Sequence, residues 1–229
     1  MIKKMKWDSD FFNLRVGQLD FKESKDALDV ENYDLLYVVL SDDFDMKLKG
    51  FENSFSEQKI KFYKELKATE QLAENVFSYR ETTYDIQDIY QLAFESGRHS
   101  RFLLDKKFRS EKFKELYKLW IDNSISNIFA DDVLLYKYEG KTLGLITYKT
   151  IEKDAFVGLI AVSHEHQGKG IGRIMLKHLE SALYANGIYN LTIPAQGQNQ
   201  QACNFYNKIG YSISEKTYIK HYWKIHDTI

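Results

Sequence analysis

Three glycines stand within five residues of the chain, in the segment Gly168-Lys169-Gly170-Ile171-Gly172. Glycine lets backbone N–H groups approach a ligand closely, and a helix start lies at the positive end of the helix dipole, where phosphate is stabilised. A tight turn without a ligand is the alternative, but such a turn does not require three glycines. The spacing therefore predicts an anion site at a helix start.

The residues on either side of the glycines predict the elements that position them. Ala155 to Val162 is an uncharged run of eight residues, which is long enough for a buried strand and too short for a helix. After the glycines, apolar residues recur at helical spacing until Gly187. Two other phosphate loops are excluded, because Arg173 stands where a Walker loop needs lysine and where a dinucleotide loop needs its third glycine.

Together with Gln167, the glycines fill the pattern Gln-x-x-Gly-x-Gly, which resembles the acyl-CoA site of the GCN5-related N-acetyltransferases. The resemblance implies acetyl-CoA as the cofactor and the GNAT fold, an α+β fold with a mixed, mostly antiparallel sheet flanked by helices. In that family the preceding strand pairs with pantetheine, and the loop amides hold the pyrophosphate. The implied contacts are Leu159, Ile160, Ala161 and Val162 along pantetheine, and Gln167, Gly168, Lys169, Gly170, Ile171, Gly172 and Arg173 around the pyrophosphate.

The segment from Asn199 to Tyr211 resembles a second signature of the family, Asn-x-x-Ala-x-x-Phe-Tyr-x-x-x-Gly-Phe/Tyr, with every named position filled. The resemblance implies that Asn199 contacts the cofactor arm and that Tyr206 protonates the departing CoA thiolate. A phenol with a pKa of about 10 stays protonated at neutral pH and can still donate to the thiolate of a thiol with a pKa of about 8.5. A packing tyrosine on an amphipathic helix is the alternative for Tyr206.

An acceptor amine must lose a proton before it attacks, and the sequence offers no single base for this step. His99, His164, Glu165 and His166 are candidates, and a chain of ordered waters is an equal alternative. The backbone of residues 160–162 would supply the donors for the developing oxyanion. No metal site is expected, because the two histidines at 164 and 166 lack a third ligand at a useful spacing.

A loop between two predicted helices carries three basic side chains, Arg98, His99 and Arg101. Guanidinium forks suit phosphate groups, so these residues are candidates for binding an anionic acceptor. A solvated loop with scattered charge is the alternative from these residues alone.

Three further segments resemble the branch of the family that contains dTDP-fucosamine acetyltransferase, namely Trp7 to Phe12, Ser100 to Phe108 and Leu116 to Ile121. The resemblance implies an enzyme with an additional N-terminal domain that acetylates the 4-amino group of a dTDP-linked 4-amino-4,6-dideoxyhexose for surface polysaccharide. Two alternatives stay open. One is the same chemistry on another amine, such as a protein N-terminus or a polyamine, and the other is a non-enzymatic acyl-CoA-binding protein.

The pattern predicts a small α/β domain in residues 1–75 and an acetyltransferase domain in residues 76–229, with the border near Thr69 to Val76. The predicted strands are Val16 to Phe21, Tyr33 to Leu40, Lys59 to Lys64, Val133 to Tyr138, Leu143 to Ile151, Ala155 to Val162, Tyr189 to Ile193 and Tyr218 to Ile225. A helix of undefined extent is expected between the first two strands. Helix caps are predicted at Asp85, Ser110 and Asn199. The lysines of the last strand indicate an exposed sheet edge.

The composition fits a globular protein with a small-molecule acceptor. Hydrophobic residues make up 44% of the 229 residues and the net charge is -1, so the chain lacks the positive charge on which nucleic-acid binding depends. The first residues lack the apolar segment of a secretory signal, and no apolar run approaches the roughly 18 residues of a membrane span. We therefore expect a cytoplasmic protein without an internal disulfide, with Cys203 in a helix interior and a homodimer left open.

Overall fold

The computed structural model describes residues 2–21, 29–68 and 72–225. Its strands are β1 (Ile2–Lys4), β2 (Val16–Asp20), β3 (Leu35–Leu40), β4 (Phe51–Glu65), β5 (Val76–Ser78), β6 (Asp132–Tyr138), β7 (Lys141–Ile151), β8 (Asp154–Val162), β9 (Asn190–Gln196) and β10 (Ser212–Lys224). Its α-helices are α1 (Lys6–Phe12), α2 (Ile86–Ser96), α3 (Arg101–Leu104), α4 (Ser110–Ile125), α5 (Ile171–Ala185) and α6 (Gln200–Lys208). None of these helices is long and apolar enough to cross a lipid bilayer.

The described strands form one sheet in the order β1-β2-β3-β10-β4-β9-β8-β7-β6-β5. Only the pairs β2–β3 and β8–β9 are parallel among these strands. The predicted meander of β6, β7 and β8 is confirmed by antiparallel pairing of both neighbouring pairs. The fold is therefore the predicted mixed and mostly antiparallel sheet with flanking helices.

Helices cover both faces of the sheet. Alternate residues of a strand point to opposite faces, and on β6 Leu134 packs with α5 and α6 whereas Leu135 packs with α2 and α4. Two of the predicted caps start helices on these faces, since the side chains of Asp85 and Asn199 accept hydrogen bonds from the first turns of α2 and α6. Cys203 is buried within α6, as predicted.

Two strands at the centre of the sheet diverge. Parallel pairing of β8 with β9 covers only Asp154–Phe156 opposite Asn190–Thr192. Beyond that point the register of β8 against β7 shifts, and the Leu159 N–H donates to Thr147 Oγ1 at 2.8 Å. The bulge bends β8, which increases local twist and ends pairing. A gap therefore opens between the last residues of β8 and β9.

Two predictions about local structure are wrong. The last strand is not a sheet edge, because β10 lies between β3 and β4, and its Lys220 is buried beside Asp43 and Asp45. Alternation within a strand does not reveal which distant strands pair with it. Ser110 does not cap α4, because it is the first helical residue and its hydroxyl donates to the Glu111 carboxylate.

The sheet runs without interruption through both predicted domains. Strand β4, from the first 75 residues, pairs with β9 on one side and with β10 on the other. Residues 69–71 of the predicted border, and residues 22–28 of the helix expected after β2, lie outside the described residues. The division into 1–75 and 76–229 stays a prediction.

Candidate functional site

The gap between β8 and β9 opens into a cleft of about 900 Å³. The sides of the cleft come from the end of β8, the end of β9, the start of α5, helix α6, the loop after α2, and strand β4. Because the gap passes through the sheet, the cleft collects side chains from both of its faces. The predicted site residues that line it are Leu159, Ile160, Ala161, Val162, Gln167, Gly168, Gly170, Ile171, Gly172, Arg173, Asn199, Tyr206, Arg98, His99 and Arg101.

Lys169 is the predicted site residue that does not line this cleft. It lines an adjoining pocket of about 300 Å³, together with Tyr136, Tyr138 and His166. Lys169 stands between Gly168 and Gly170, whose backbone φ angles are 76° and 85°. Of the four predicted bases, Glu165 is exposed and does not line the cleft, whereas the three histidines do.

The end of β8 presents backbone N–H groups to the gap. The N–H groups of Leu159 and Ser163 point to β7, where they donate to Thr147 Oγ1 and to the Leu143 carbonyl. Successive N–H groups along a strand point to opposite edges. The N–H groups of residues 160 and 162 therefore point into the gap, where an extended ligand could pair with them.

The glycine turn leaves the start of α5 open. Gly170 is the residue before the helix, has a positive φ of 85°, and provides no side-chain cap. The left-handed conformation is strained for residues with a Cβ, so glycine is required here for backbone reasons. The first N–H groups of the helix have no partner inside the helix. They face the cleft at the positive end of the dipole, which is a suitable place for an anion.

The side chain of Gln167 braces this turn. Its Nε2 donates to Glu95 Oε1 at 2.9 Å and to the Val162 carbonyl at 3.1 Å. Glu95 Oε1 also accepts a hydrogen bond of 3.1 Å from Arg98, and His164 Nδ1 lies 3.7 Å from the same oxygen. One carboxylate of α2 thus joins the glycine turn to the loop that carries the predicted acceptor-binding residues.

Tyr206 lies on the wall of the cleft, on the α6 side of the sheet. Its ring is 4% exposed and packs against Phe62 at 5.1 Å and Phe205 at 5.4 Å between centroids. Burial raises the pKa of its phenol above the usual range, so the hydroxyl is protonated at neutral pH. Asn199 uses its side-chain oxygen to cap α6 at a distance of 3.0 Å. Its amide nitrogen is therefore the group that can donate to a ligand.

Arg101 is held between aromatic rings on the other side of the sheet. Its guanidinium lies 4.4 Å from the ring centroid of Tyr37 and 4.7 Å from that of Phe102. Helix α3 starts at Arg101 because the Ser100 hydroxyl accepts from the Phe102 N–H. Stacking fixes the plane of the guanidinium and favours a planar, doubly hydrogen-bonded anion.

Sequence reasoning missed two charged residues of β4 that line the cleft, Glu57 and Lys59. Glu57 is 6% exposed, and its Oε2 has no hydrogen-bond partner among the described residues. Burial raises the pKa of Glu57, and the charges of Arg101 and Lys59 oppose this effect. The alternation of β4 could have placed both residues on one face, but nothing in the local sequence indicates that β4 lies beside β9.

A sequence comparison finds a family match for the part of the chain that builds most of the cleft. The family model described as Acetyltransferase (GNAT) family matches residues 83–211, which include the glycine turn, Asn199 and Tyr206. A curated relative, the spore coat polysaccharide biosynthesis protein SpsD of Bacillus subtilis (strain 168), is 23% identical over 139 residues. The match covers 61% of this chain and 48% of SpsD, so this chain spans about half the length of that relative.

Solved structures share the fold. A GNAT-family protein from Novosphingobium aromaticivorans has a TM-score of 0.55 at 10% sequence identity, over 84% of this chain and 75% of that one. A GCN5-related N-acetyltransferase from Sphaerobacter thermophilus has a TM-score of 0.54 at 14% identity, over 85% of this chain and 61% of that one. These similarities confirm the predicted fold.

Proposed function

Because this chain belongs to the GNAT family of acetyltransferases, we propose that it transfers the acetyl group of acetyl-CoA to the amino group of a nucleotide-linked 4-amino-4,6-dideoxyhexose, with dTDP as the carrier. The transfer is direct, in a ternary complex. One observation carries the donor half of the proposal, since α5 starts without a side-chain cap beside the edge of β8 that β9 leaves open.

The residues around this opening fit acetyl-CoA, which supplies the acetyl group as an activated thioester. The inward N–H groups of Ile160 and Val162 hold the pantetheine arm, and one of them stabilises the developing oxyanion. The amides from Gly168 to Arg173 hold the pyrophosphate. Gln167 keeps the turn in place. Lys169 contributes to pyrophosphate binding from the adjoining pocket, and the amide nitrogen of Asn199 donates a hydrogen bond to the cofactor arm.

Tyr206 is the general acid of the proposed reaction. Its buried phenol keeps its proton at neutral pH, and the sulfur of the leaving thiolate is a base that can take this proton. The packing of its ring against Phe62 and Phe205 restricts the ring, which holds the hydroxyl in one position on the cleft wall.

The acceptor side of the cleft supports a nucleotide sugar. Arg98 and Arg101 line it and offer guanidinium forks for a diphosphate. Trp120 lines the same side, is partly exposed, and offers a ring surface against which a base could stack. The name of SpsD refers to polysaccharide biosynthesis, and this supports an acceptor from that kind of pathway. In the proposed organisation, residues 1–75 contribute the β4 part of this wall to the acetyltransferase domain of residues 76–229.

The test is a thiol-release assay with acetyl-CoA and a panel of acceptors. The panel contains amino sugars linked to dTDP, UDP and GDP, the corresponding free amino sugars, spermidine, and a peptide with a free N-terminus. We expect the highest kcat/KM with a dTDP-linked 4-amino-4,6-dideoxyhexose and a large loss with the free sugar, because the free sugar lacks the diphosphate.

Each outcome of this assay leads to a different conclusion. Preference for spermidine or the peptide would support acetyltransferase activity but would reject a sugar as the acceptor. Acetyl-CoA binding by calorimetry without thiol release for any amine would indicate an acyl-CoA-binding protein instead. Absence of acetyl-CoA binding would reject the donor site.

A further inference from the structure

Glu57 has the position and surroundings of a group that exchanges a proton with a ligand in the cleft. The residue lines the cleft and is almost fully buried, yet its Oε2 has no partner among the described residues. A buried carboxylate oxygen without a hydrogen bond is costly, so native structures normally pair such groups. The unpaired oxygen therefore points to a partner that arrives with the ligand.

The sheet fixes where this carboxyl group stands. Strand β4 lies directly beside β9, and Glu57 is paired in register with Ile219 of β10, which also lines the cleft. On β4, Ile60 and Phe62 face α5 and α6, so Glu57 faces the opposite side of the sheet. Tyr206 belongs to the α5 and α6 side. The cleft thus receives a phenol from one face and a carboxyl group from the other.

The charged and titratable groups around Glu57 come from three elements. Arg101 of α3 and Lys59 of β4 bring positive charge, and the backbone N–H of Arg101 also favours the ionised form of Glu57. Tyr117 of α4 lies close enough for the charge of Glu57 to affect its phenol, whose pKa is raised to about 12, mainly by burial. Burial has the largest effect and raises the pKa of Glu57, while the charges of these two cations oppose this effect. A raised pKa makes a carboxylate a better proton acceptor than an ordinary glutamate.

We propose that Glu57 is the general base that takes a proton from the ammonium form of the acceptor. This inference rests on the proposed acetyl transfer. Of the two protons that the nitrogen must lose, Glu57 takes the first. The nitrogen then forms the C–N bond as the C–S bond breaks, and the sulfur takes the proton of Tyr206. The second nitrogen proton restores the Tyr206 hydroxyl through water, and Glu57 releases its own proton to solvent, so one proton is released for each amide formed.

The base comes from outside the residues that match the family model. The match covers residues 83–211, whereas Glu57 belongs to the strand that precedes it. The N-terminal part of the chain therefore contributes to the chemistry as well as to the shape of the acceptor site.

The experiment compares the wild type with Glu57→Gln, Glu57→Asp and Glu65→Gln from pH 6 to 10, with the acceptor that the wild type uses best. Glu65 is an exposed glutamate near the other end of β4 and provides a matched control. We expect Glu57→Gln to lower kcat by about 10²–10⁴-fold at neutral pH, with KM for acetyl-CoA unchanged. The deficit shrinks as rising pH supplies the free amine. Glu57→Asp retains part of the rate, and Glu65→Gln matches the wild type.

The possible results separate the two proposals. If Glu57→Gln raises only the acceptor KM and leaves kcat unchanged, Glu57 binds the ammonium group and is not the base. Equal kcat values for the wild type and Glu57→Gln would also reject Glu57 as the general base, but would leave the proposed acetyltransferase activity unaffected. A wild type that acetylates no amine rejects both. The amide variant is expected to fold, because glutamine has nearly the same shape as glutamate and its amide oxygen can still accept the hydrogen bond from the Arg101 backbone N–H, and its thermal unfolding midpoint checks this.

Discussion

The Gln167 side chain donates a hydrogen bond of 2.9 Å to Glu95 Oε1, which joins the glycine turn before α5 to the end of α2. Glu95 also bonds to Arg98, so the predicted cofactor loop and the predicted acceptor loop share one carboxylate. A change at this contact should therefore affect the donor and the acceptor together. The contact links two segments that the sequence predicted separately.

The Gln167–Glu95 contact can be measured with a double-mutant cycle. We expect Gln167→Ala and Glu95→Ala each to weaken acetyl-CoA binding, because the turn loses its brace. The double variant should be little worse than either single variant, with a coupling energy of about 1 kcal/mol. Calorimetry of all four proteins gives this value. Additive losses would mean that the two side chains act independently.

Gly170 should tolerate no larger residue without loss of cofactor binding. Gly170→Val forces a β-branched residue into a φ of 85° at the open helix start and places a side chain where the anion would bind. We expect acetyl-CoA affinity to fall at least tenfold, as measured by calorimetry. Gly187→Val is the control, since Gly187 has a φ of 78° at the far end of α5. Equal affinities for Gly170→Val and the wild type would contradict an anion site at this turn.

Tyr206→Phe should separate binding from chemistry. Removal of the hydroxyl leaves the packing of the ring but removes the proposed proton donor, so turnover should fall by about 10²–10⁴-fold while acetyl-CoA affinity stays nearly unchanged. Tyr211→Phe is the control, because the Tyr211 hydroxyl donates to Glu180 at 2.7 Å, outside the cleft lining. That variant should lose stability and keep its turnover. Unchanged turnover in Tyr206→Phe would show that Tyr206 is not the general acid.

His221 should make the protein less stable in mild acid. Burial lowers its pKa to about 4, although its Nδ1 lies 2.6 Å from Asp105 and would favour the charged form. An unfolded histidine binds a proton below about pH 6.5, so between about 6.5 and 4 the unfolded chain binds more protons than the folded chain. As the pH is lowered through this window, the free energy of unfolding should therefore decrease, by up to about 1.4 kcal/mol per pH unit.

Urea unfolding at pH 5, 6, 7 and 8 measures the effect of His221. His221→Gln keeps a donor for Asp105 and removes the titration, so its unfolding free energy should depend less on pH between 5 and 7 than that of the wild type. The same pH dependence in both proteins would show that His221 is not responsible.

The sequence by itself determined the parts of the site that lie within one short segment. The strand, the glycine turn and the start of α5 are encoded between Ala155 and Gly172, because local spacing sets backbone conformation there. The same holds for Asn199 as the cap of α6 and for the place of Tyr206 on that helix, since both depend on helical periodicity over a few residues.

Only the tertiary structure decided which distant segments meet. Glu57 reaches the cleft because β4 lies between β9 and β10, and Lys220 is buried because β10 is a central strand. Strand pairing joins residues such as Glu57 and Ile219, which are far apart along the chain. Local alternation gives the face of each strand but not its neighbours, so such pairs are fixed by the packing of the whole sheet.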